Sequence, residues 1–488
     1  MNQTPENKPF VKRLQERLAA SRFFTFSLLL HVIIVILGGS VVLFKTFIAP
    51  PDFVSEGGGI VSGDPAVAQP PEDKPNVEEQ VFTPDQPSIN APTVDAITST
   101  STVQTSFKMT SVPTPIKPMA TDMTKAMQDA SKNIAKGVGA GVPSAMAGRM
   151  GGTARASAMM KNNGKEKSEK AVMAGLRWLK QHQNEDGSWS GEHKHAMTGF
   201  ACLSFLGHGE TPESPEFGPT IKKGIDWLLA QGTQFQGHLN GNGGFDQPGV
   251  YEHAIATYAL GEYYTMTKDD RVAELLKQAV TFIVQGQAPD GGWQYGYAKG
   301  PDSDTSVSGW QIQALKAGHL TGLQIPGVDE ALDKAMLDLK RVQAEDGSYG
   351  YRKAGDHDYS LTGVGVLCTY FWKQDKDKGV REGIESMLRQ TDNKHPVKYK
   401  EDSADLYAWY YNTQACLMFG GSAWSKWNRL FQDEIADNQA ADGSWPPCGG
   451  KSPGGDLQRR PDGAGPYYRT TLCILMLEVF YRYMPITK

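Results

Sequence analysis

Charged and aromatic side chains recur in this sequence just before or within strongly apolar stretches, where they could bind a ligand or move a proton. Aspartate immediately before a helix commonly caps it, and Asp304, Asp358 and Asp405 all stand in such places. His253 and Arg469 occupy equivalent places but are not typical capping residues, which favours a binding role for them. Capping and ligand binding both stay open for the aspartates. The aromatic residues that accompany these positions are Trp310, Tyr359, Tyr410 and Tyr467.

A repeat of about 50 residues places these side chains, and it runs from residue 169 to the end of the chain. Its mark is a glutamine followed by a glycine turn and an aromatic residue, as in Gln183 and Asp186-Gly187-Ser188-Trp189. The stretch before the glutamine has apolar residues at helical spacing, and Asp-Gly is a stop and turn signal. Each copy therefore predicts a helical hairpin. The corresponding glutamines are Gln183, Gln231, Gln287, Gln343, Gln390 and Gln439.

The second helix of each hairpin is richer in apolar and aromatic residues than the first, so the second helices should form an inner layer. Six hairpins bury every inner face when they close into a ring, which predicts an all-α (α/α)6 toroid over residues 169–488. An open solenoid is the alternative, but it usually needs polar faces on its terminal repeats. The strongly apolar end of the last repeat favours closure. The inner helices are predicted at 197–206, 254–264, 306–317, 360–371, 406–419 and 470–483.

The inner helices of such a ring bring their N-termini to a single mouth if they all run in the same direction. Helix N-termini carry partial positive charge, so this mouth should favour anions or carboxylates. The sequence therefore predicts a ligand-binding mouth at one end of the ring. The residues predicted to bind there are His253, Trp310, Asp358, Tyr359, Asp405, Tyr410, Tyr467 and Arg469.

The glutamine and Gly-x-Trp pattern resembles the QW motif of the prenyltransferase and squalene-oxidase repeat family, which is squalene-cyclase-like. The resemblance covers residues 169–488. It implies that the first helices form an outer ring, that the glutamine caps the turn and that the tryptophan stacks where the inner helix begins. More narrowly, Gly291-Gly292-Trp293-x-Tyr295 and Asp304-Thr305-Ser306-Val307 are similar to stretches of membrane-anchored bacterial proteins of this type.

Asp302-Ser303-Asp304-Thr305 resembles the Asp-x-Asp-Asp-Thr motif with which bacterial squalene-type cyclases protonate an alkene. The resemblance implies an isoprenoid-processing enzyme in which Asp304 is the general acid and aromatic faces stabilise carbocations. Thr305 stands where those enzymes have an acid, and the chain holds one toroid where triterpene cyclases have two such domains. We therefore expect binding of a ligand or protein partner at the mouth, with a terpenoid cyclase-like enzyme as the alternative.

The sequence ahead of the ring predicts a membrane anchor and a tether. Residues 23–46 are apolar almost without interruption and are long enough for a transmembrane helix. Basic residues in 1–22 predict a cytoplasmic N-terminus, an anchor in the inner membrane and a periplasmic ring. A cleaved signal peptide is the alternative, although its apolar core is normally shorter. Residues 47–168 are rich in Pro, Ser, Thr, Gly and Ala and predict a disordered tether.

The predicted anchor contains two polar residues, Ser27 and His31, one helical turn apart and thus on one face. Polar groups at membrane depth are costly and often functional. The pair resembles the N-terminal anchor of TonB-family energy transducers, whose Ser-x-x-x-His pair faces a proton-driven ExbB/ExbD-type channel. That resemblance implies the same kind of partner here. A tolerated neutral histidine in a simple anchor is the alternative.

Composition narrows the partners and cofactors further. The chain of 488 residues has a net charge of -5 and no basic tract, so we expect no nucleic acid partner. Its cysteines form no Cys-x-x-Cys pair, so neither a disulfide framework nor a zinc cluster is predicted. The Asp-x-Cys spacing of the zinc site in protein prenyltransferases is missing too, since Tyr407 follows Asp405 at that spacing. We therefore predict no metal and no cofactor.

Overall fold

The structure is a computed structural model that describes residues 142–240, 249–356, 359–373, 378–392, 394–450 and 456–483. In those ranges the regular secondary structure is helical, apart from one isolated β-bridge between Gln343 and Tyr349. The predicted cytoplasmic segment, the predicted anchor with Ser27 and His31, most of the predicted tether, and Asp358 lie outside the described residues. Among the helices described, none combines the length and apolar character needed to cross a membrane.

Outer and inner helices alternate along the chain as predicted. The outer helices are α2 (Glu166–Gln181), α4 (Gly218–Gln234), α6 (Asp270–Gly286), α8 (Val328–Val342), α10 (Lys378–Thr391) and α12 (Gly421–Asp437). The inner helices are α3 (Lys194–Gly207), α5 (Gly249–Thr267), α7 (Thr305–Leu320), α9 (Tyr359–Lys373), α11 (Leu406–Phe419) and α14 (Gly465–Leu477). The shorter helices are α1 (Gly152–Lys161), α13 (Asp456–Arg459) and α15 (Val479–Arg482), with 3₁₀ turns at Ser144–Arg149 and Tyr295–Tyr297.

The two layers differ in which of their faces are buried. In outer helix α8, Val328, Leu332 and Leu339 are buried on one face, whereas Leu337 on another face is 71% exposed. Inner helix α11 is buried on every side over almost its whole length. A helix that is apolar all round belongs in a core, and one with an apolar stripe belongs at the surface. The hydrophobic core therefore lies in the inner layer and between the two layers.

Where the repeat signature has a tryptophan, that residue links the two helices of its hairpin. Nε1 of Trp189, Trp293 and Trp445 donates in each case to a carbonyl in the last turn of the preceding outer helix, at 2.7 Å. The backbone N–H of Trp293 also donates to the hydroxyl of Ser308 in the first turn of inner helix α7, at 2.9 Å. Because a buried indole N–H needs a partner, these bonds fix the angle between the two helices of a hairpin.

The signature glutamine links one hairpin to the next, and in the last repeat it closes the ring. Nε2 of Gln183 donates to a carbonyl of its own turn at 2.8 Å and to the Thr220 carbonyl of the next outer helix at 2.9 Å. Nε2 of Gln439 makes the equivalent pair of bonds, one of them to Ala171 of the first outer helix at 2.8 Å. Inner helix α14 also packs against α3. The predicted closure of the toroid is confirmed.

The inner helices run in the same direction, because the starts of neighbouring helices lie side by side. Glu252 in the first turn of α5 accepts from the backbone N–H of His195 in the first turn of α3, at 3.1 Å. Ser360 in the first turn of α9 donates to Asp405, the residue before α11, at 2.7 Å. We call the rim formed by the N-terminal ends of the inner helices the mouth.

Residues 142–162 cover the opposite rim, at the C-terminal ends of the inner helices. The guanidinium of Arg149 is fully buried and bonds to the Glu262 carboxylate of α5 at 2.6 Å, to the Leu206 carbonyl of α3 and to the Arg482 carbonyl. The end of the tether at residue 168 stays a prediction; within that stretch, residues 142–168 are described and include α1 and the start of α2. A segment rich in Gly, Met and Ala shows little helical periodicity. The bonds of the buried Arg149 provide much of its attachment.

Candidate functional site

Asp304 lies at the mouth, where it is the N-cap residue of α7. Its Oδ1 accepts from the backbone N–H groups of Ser306 at 2.9 Å and Val307 at 3.3 Å, and from the Ser306 hydroxyl at 2.6 Å. Within the described part of the chain, its buried Oδ2 has no hydrogen-bond partner. Burial raises the pKa of Asp304 to about 6, although the bonds from Ser306 and Val307 act against it. Asp304 is thus both a helix cap and an acid that titrates near neutrality.

Three tyrosine hydroxyls gather at Ser306 and connect Asp304 to less buried parts of the mouth. The Tyr251 hydroxyl lies 2.8 Å from Ser306 Oγ and 2.9 Å from the Tyr295 hydroxyl. The Tyr351 hydroxyl lies 3.4 Å from the same Ser306 oxygen. Tyr251 is fully buried, whereas Tyr295 and Tyr351 are half-buried. We call Tyr295, Tyr251, Ser306 and Asp304 the hydroxyl chain.

The direction of the hydrogen bonds in this chain follows from which groups keep their protons. Burial first, together with the nearby Asp304 carboxylate, raises the pKa of Tyr251, Tyr295 and Tyr351, so all three stay protonated. A hydroxyl has one proton to donate. Because Ser306 donates to Asp304, Tyr251 must donate to Ser306 and Tyr295 to Tyr251 when Asp304 is ionised. The Tyr295 oxygen is then left as an acceptor at the half-buried end.

Sequence reasoning missed these tyrosines, although the repeat carries a signal for two of them. Tyr295 stands two residues after Trp293, and Tyr351 stands two residues after Tyr349, so both occupy the same place behind the turn aromatic. Aligning the turns of consecutive copies would have paired them. Tyr251 gives no comparable signal, because it lies among the apolar residues that begin α5.

A second polar group at the mouth centres on Glu252. Besides accepting from His195 N–H, its carboxylate lies 3.3 Å from Nδ1 of His193 and 3.4 Å from Nδ1 of His195. Burial acts to raise the pKa of Glu252, but the bonds from both histidines outweigh it and leave that pKa lowered. The His195 ring lies 4.7 Å from that of Trp227. His193 has a left-handed φ of 47° and gives α3 no side-chain cap, so Glu252 caps that helix from its neighbour.

Carboxylates of the protein itself cap helix N-termini at the mouth. Oδ1 of Asp405 accepts from the backbone N–H of Ala408 at 3.0 Å and thereby caps α11. Asp304 caps α7, and Glu252 caps α3. Since a helix N-terminus favours one neighbouring negative charge, these carboxylates take up the predicted anion preference at three of the six inner helices, α3, α7 and α11.

Trp310 and Tyr410 lie in a packed aromatic centre of the inner layer. Their rings stack with centroids 5.7 Å apart, and Phe200 meets the Trp310 ring edge-on at 5.3 Å. All three side chains are buried. The Tyr410 hydroxyl donates to Gln313 at 3.3 Å, so its polar end is also used inside the ring.

Two further predicted aromatic residues, Tyr359 and Tyr467, lie at the mouth ends of their helices. Tyr359 begins α9, is buried, and has its ring 5.4 Å from that of His395. Tyr467 is half-buried in the first turn of α14, with its ring 5.3 Å from that of Trp178. The contacts of these two residues are not shared with the hydroxyl chain. No cluster of three or more His, Cys, Asp or Glu among the described residues is arranged to hold a metal ion.

The polar atoms of His253 and Arg469 form hydrogen bonds with backbone groups. Nδ1 of His253 accepts from the Leu239 N–H at 3.1 Å, and its Nε2 lies 3.0 Å from the Ala279 carbonyl. Burial lowers the pKa of His253 to about 3, so the ring is neutral. Arg469 is buried and donates to the carbonyls of Trp445, Leu457, Gln458 and Arg460. Both side chains organise loops and have no contact in common with Asp304.

Residues 147–302 match the family of the squalene-hopene cyclase C-terminal domain. The matched stretch includes Tyr251 and Tyr295 and ends just before Asp304. No curated protein matches the chain.

Several solved structures are similar to this chain over nearly their whole length, although few of the aligned residues are identical. The α-1,6-mannanase GH76A of Salegentibacter sp. HEL1_6 is 11% identical, covers 64% of this chain and 98% of its own, and has a TM-score of 0.47. A variant of the type II terpene cyclase MstE from Scytonema is 12% identical, with 66% and 98% covered and a TM-score of 0.45. The cellobiose 2-epimerase of Spirochaeta thermophila DSM 6192 is 15% identical, with 67% and 98% covered and a TM-score of 0.48.

Proposed function

We propose that the toroid binds, at its mouth, a ligand or protein partner that presents hydrogen-bond donors beside apolar surface. The hydroxyl chain is the observation that supports this most strongly. It leads from the buried carboxyl of Asp304 to the half-buried Tyr295, whose oxygen is left to accept a hydrogen bond. Half-buried Tyr351 adds a second hydroxyl and a second aromatic face within 3.4 Å of Ser306.

The charge at the mouth supports the same class of ligand. Glu252 is ionised, and Asp304 is ionised above about pH 6, while the groups that favour their ionised forms are helix N-termini, histidines and, for Asp304, Arg352. A ligand hydroxyl or amine gains a charge-assisted bond through the chain, whereas a ligand carboxylate meets two carboxylates already in place. An isoprenoid alcohol combines the required donor with an apolar chain for the tyrosine rings.

The test is a titration of the purified protein with geranylgeraniol in detergent, followed by intrinsic fluorescence. Replacing Tyr295 and Tyr351 together by Phe keeps the rings and removes the two hydroxyls. We expect saturable binding to the wild type and about 30-fold weaker binding to the double variant, because two hydrogen bonds worth about 1 kcal/mol each are lost. Tyr264→Phe, at the other end of α5, should bind like the wild type. Equal binding by all three proteins, or no binding by the wild type, would refute the proposed ligand.

The alternative is a terpenoid cyclase-like enzyme, and one observation favours it. Asp304 has a pKa raised to about 6 and lies among Tyr251, Tyr295 and Tyr351, as a general acid beside carbocation-stabilising rings would. Incubating wild type and Asp304→Asn with squalene or geranylgeraniol, with product analysis by mass spectrometry, tests it. Cyclised products that disappear in the variant support the enzyme. Absence of products from both proteins, together with retained binding, leaves binding as the function.

We also propose that residues 23–46 anchor the protein in the inner membrane, with the ring in the periplasm. The first described residues lie on the rim opposite the mouth, where Arg149 attaches them, and this supports a ring whose mouth points away from the anchor. Ser27 and His31 then offer one face of the anchor to an ExbB/ExbD-type proton channel.

Affinity purification of the full chain from its native membrane tests the anchor and its partner together. We expect the channel proteins to co-purify with wild type and to be lost with His31→Ala, while both proteins stay in the membrane fraction. Ile34→Ala, on the same predicted helix, is the matched control and should keep the partner. Recovery of the chain in the soluble fraction, or identical partners for all three proteins, would refute this part of the proposal.

A further inference from the structure

Lys316 lies near the C-terminal end of inner helix α7, on the rim opposite the mouth. Its Nζ lies over the ring of Phe371 at 3.2 Å from the centroid and over the ring of Tyr483 at 4.7 Å. The side chain is half-buried, so solvent reaches part of it. Among the described residues, Nζ has no hydrogen bond and no ion pair. An amine held between two aromatic faces without an acidic partner is rare, because Lys is normally solvated or paired.

The charges around this amine explain why it stays unpaired. Arg149 and Arg482 lie over the same Tyr483 ring, at 5.0 Å and 5.4 Å from its centroid. The carboxylate of Glu262 bonds to both arginines and to the Tyr483 hydroxyl, so its acceptor sites are occupied. Three cationic groups therefore share one bonded carboxylate, because burial raises the pKa of the neighbouring Glu478 well above its usual value and favours the neutral form of that carboxyl.

Burial favours the neutral form of the Lys316 amine, and the two nearby arginines add to its effect. Burial, opposed by Glu262 and Cys368 and helped by the two arginines, lowers the pKa of Lys316 to about 7. The contact with the Phe371 face acts in the other direction, because an aromatic face stabilises an ammonium. Near neutral pH a substantial share of the amine should carry a free lone pair.

We propose that Lys316 is a nucleophilic amine that captures small aldehydes at the rim opposite the mouth. The nitrogen lone pair attacks the carbonyl carbon, a C–N bond forms, and the carbonyl electron pair moves to oxygen, which takes one of the two protons of the nitrogen. Loss of the nitrogen proton and of hydroxide as water then leaves a neutral imine. Each step balances without an oxidant or reductant. The aromatic faces of Phe371 and Tyr483 hold the amine in place and pack against the captured carbon chain.

Reductive alkylation of the full chain with propanal and cyanoborohydride tests this inference, with peptide mass spectrometry as the readout. Lys268 is the matched reference in the same protein, because its Nζ also lies over a tyrosine ring, at 5.1 Å, but donates to the Thr321 carbonyl. At pH 7 we expect Lys316 to react about 30-fold faster than Lys268, since a larger neutral fraction outweighs the lower nucleophilicity of a weaker base.

The pH dependence and two variants separate reactivity from mere exposure. The rate at Lys316 should level off just above neutral pH. Phe371→Leu should move that pH upward, because exposing the amine to water outweighs the loss of the aromatic contact. Lys316→Arg should lose this modification and keep the modification of Lys268 unchanged. If Lys316 reacts no faster than Lys268, or its rate still rises above about pH 9 as for an ordinary lysine, the inference is wrong. Neither result depends on ligand binding at the mouth.

Discussion

At the scale of single residues, Asp304 combines two roles that pull its chemistry in opposite directions. As the cap of α7 it should be ionised, because an anionic acceptor binds backbone N–H groups best. As a fully buried group it should be neutral. The outcome is a pKa raised to about 6, with one oxygen bonded three times and the other without a partner among the residues that the structure describes.

This raised pKa predicts how Asp304 changes stability with pH. The folded state holds the proton of Asp304 up to about pH 6, whereas an unfolded aspartate releases it near pH 4, so the folded state binds more protons in that window. The free energy of unfolding should therefore fall as pH rises from about 4 to about 6, by about 3 kcal/mol from this group. Urea unfolding of wild type and Asp304→Asn at both pH values measures it.

The contribution of Asp304 is the difference between the two proteins. It should shift in favour of the variant as pH rises, because asparagine keeps a capping oxygen and does not ionise. A parallel pH dependence of both proteins would show that Asp304 titrates normally. Asp304→Ala, which removes the cap, should lose about 1 kcal/mol more than Asp304→Asn at low pH.

At the scale of elements, the turn glutamine is the joint between hairpins in four repeats, at Gln183, Gln287, Gln343 and Gln439. Gln287 repeats the bonds of Gln183, donating to Gly291 and to Ala331 of the next outer helix, both at 2.7 Å. In repeat two, Gln231 lies twelve residues before its glycine instead of four, and among the described residues its side chain makes no such bonds. The joint thus depends on the spacing between glutamine and glycine.

Substituting these glutamines should separate the joints from the ordinary surface. Gln439→Ala removes the two bonds that join the last hairpin to the first, so we expect a loss of about 2 kcal/mol in the free energy of unfolding. Gln231→Ala is the matched control and should change it by less than about 0.5 kcal/mol. Chemical denaturation of both variants gives the comparison. Equal losses would mean that the bonds of Gln439 do not stabilise the ring.

The helices and turns could be predicted from sequence because their signals are local. Helical spacing, the Asp-Gly turns and the Gly-x-Trp pattern each act within one hairpin, and closure followed from the apolar end of the last repeat. The hydroxyl chain could not be predicted so directly. Tyr251 and Ser306 lie 55 residues apart on different helices and meet only when two inner helices pack. For His253 and Arg469, sequence position could not reveal that backbone carbonyls and N–H groups would occupy their polar atoms.

At the scale of the whole molecule, the segment before the first hairpin is attached to one rim, and the mouth lies at the other. Its attachment is concentrated in Arg149, which is fully buried on Glu262 and on two backbone carbonyls. Removing one partner of a buried pair leaves an uncompensated charge. This rim, which includes Lys316 and Tyr483, is therefore the part of the ring whose stability depends most on the attached N-terminal segment.

Arg149→Ala should weaken the attachment of this segment to the ring. We expect a loss of about 3 kcal/mol in the free energy of unfolding and faster amide hydrogen exchange over residues 144–162. Arg155→Ala is the control, because Arg155 is partly exposed and donates to the His208 carbonyl at 2.8 Å. It should cost less than about 1 kcal/mol and leave exchange in 144–149 unchanged. Unaltered exchange in Arg149→Ala would show that other contacts hold the segment.

The proposed site at the mouth depends most on a ring in which the sixth hairpin returns to the first. Zero-length carbodiimide cross-linking measures this closure directly. Lys167 on α2 and Asp437 on α12 are 270 residues apart in sequence, yet Nζ lies 2.9 Å from a carboxylate oxygen. A closed ring predicts an amide between these two residues within one monomer, beside the local Lys170–Glu166 cross-link, whose ion pair measures 2.7 Å. Finding the local cross-link without the Lys167–Asp437 amide would contradict the closed ring and, with it, the mouth.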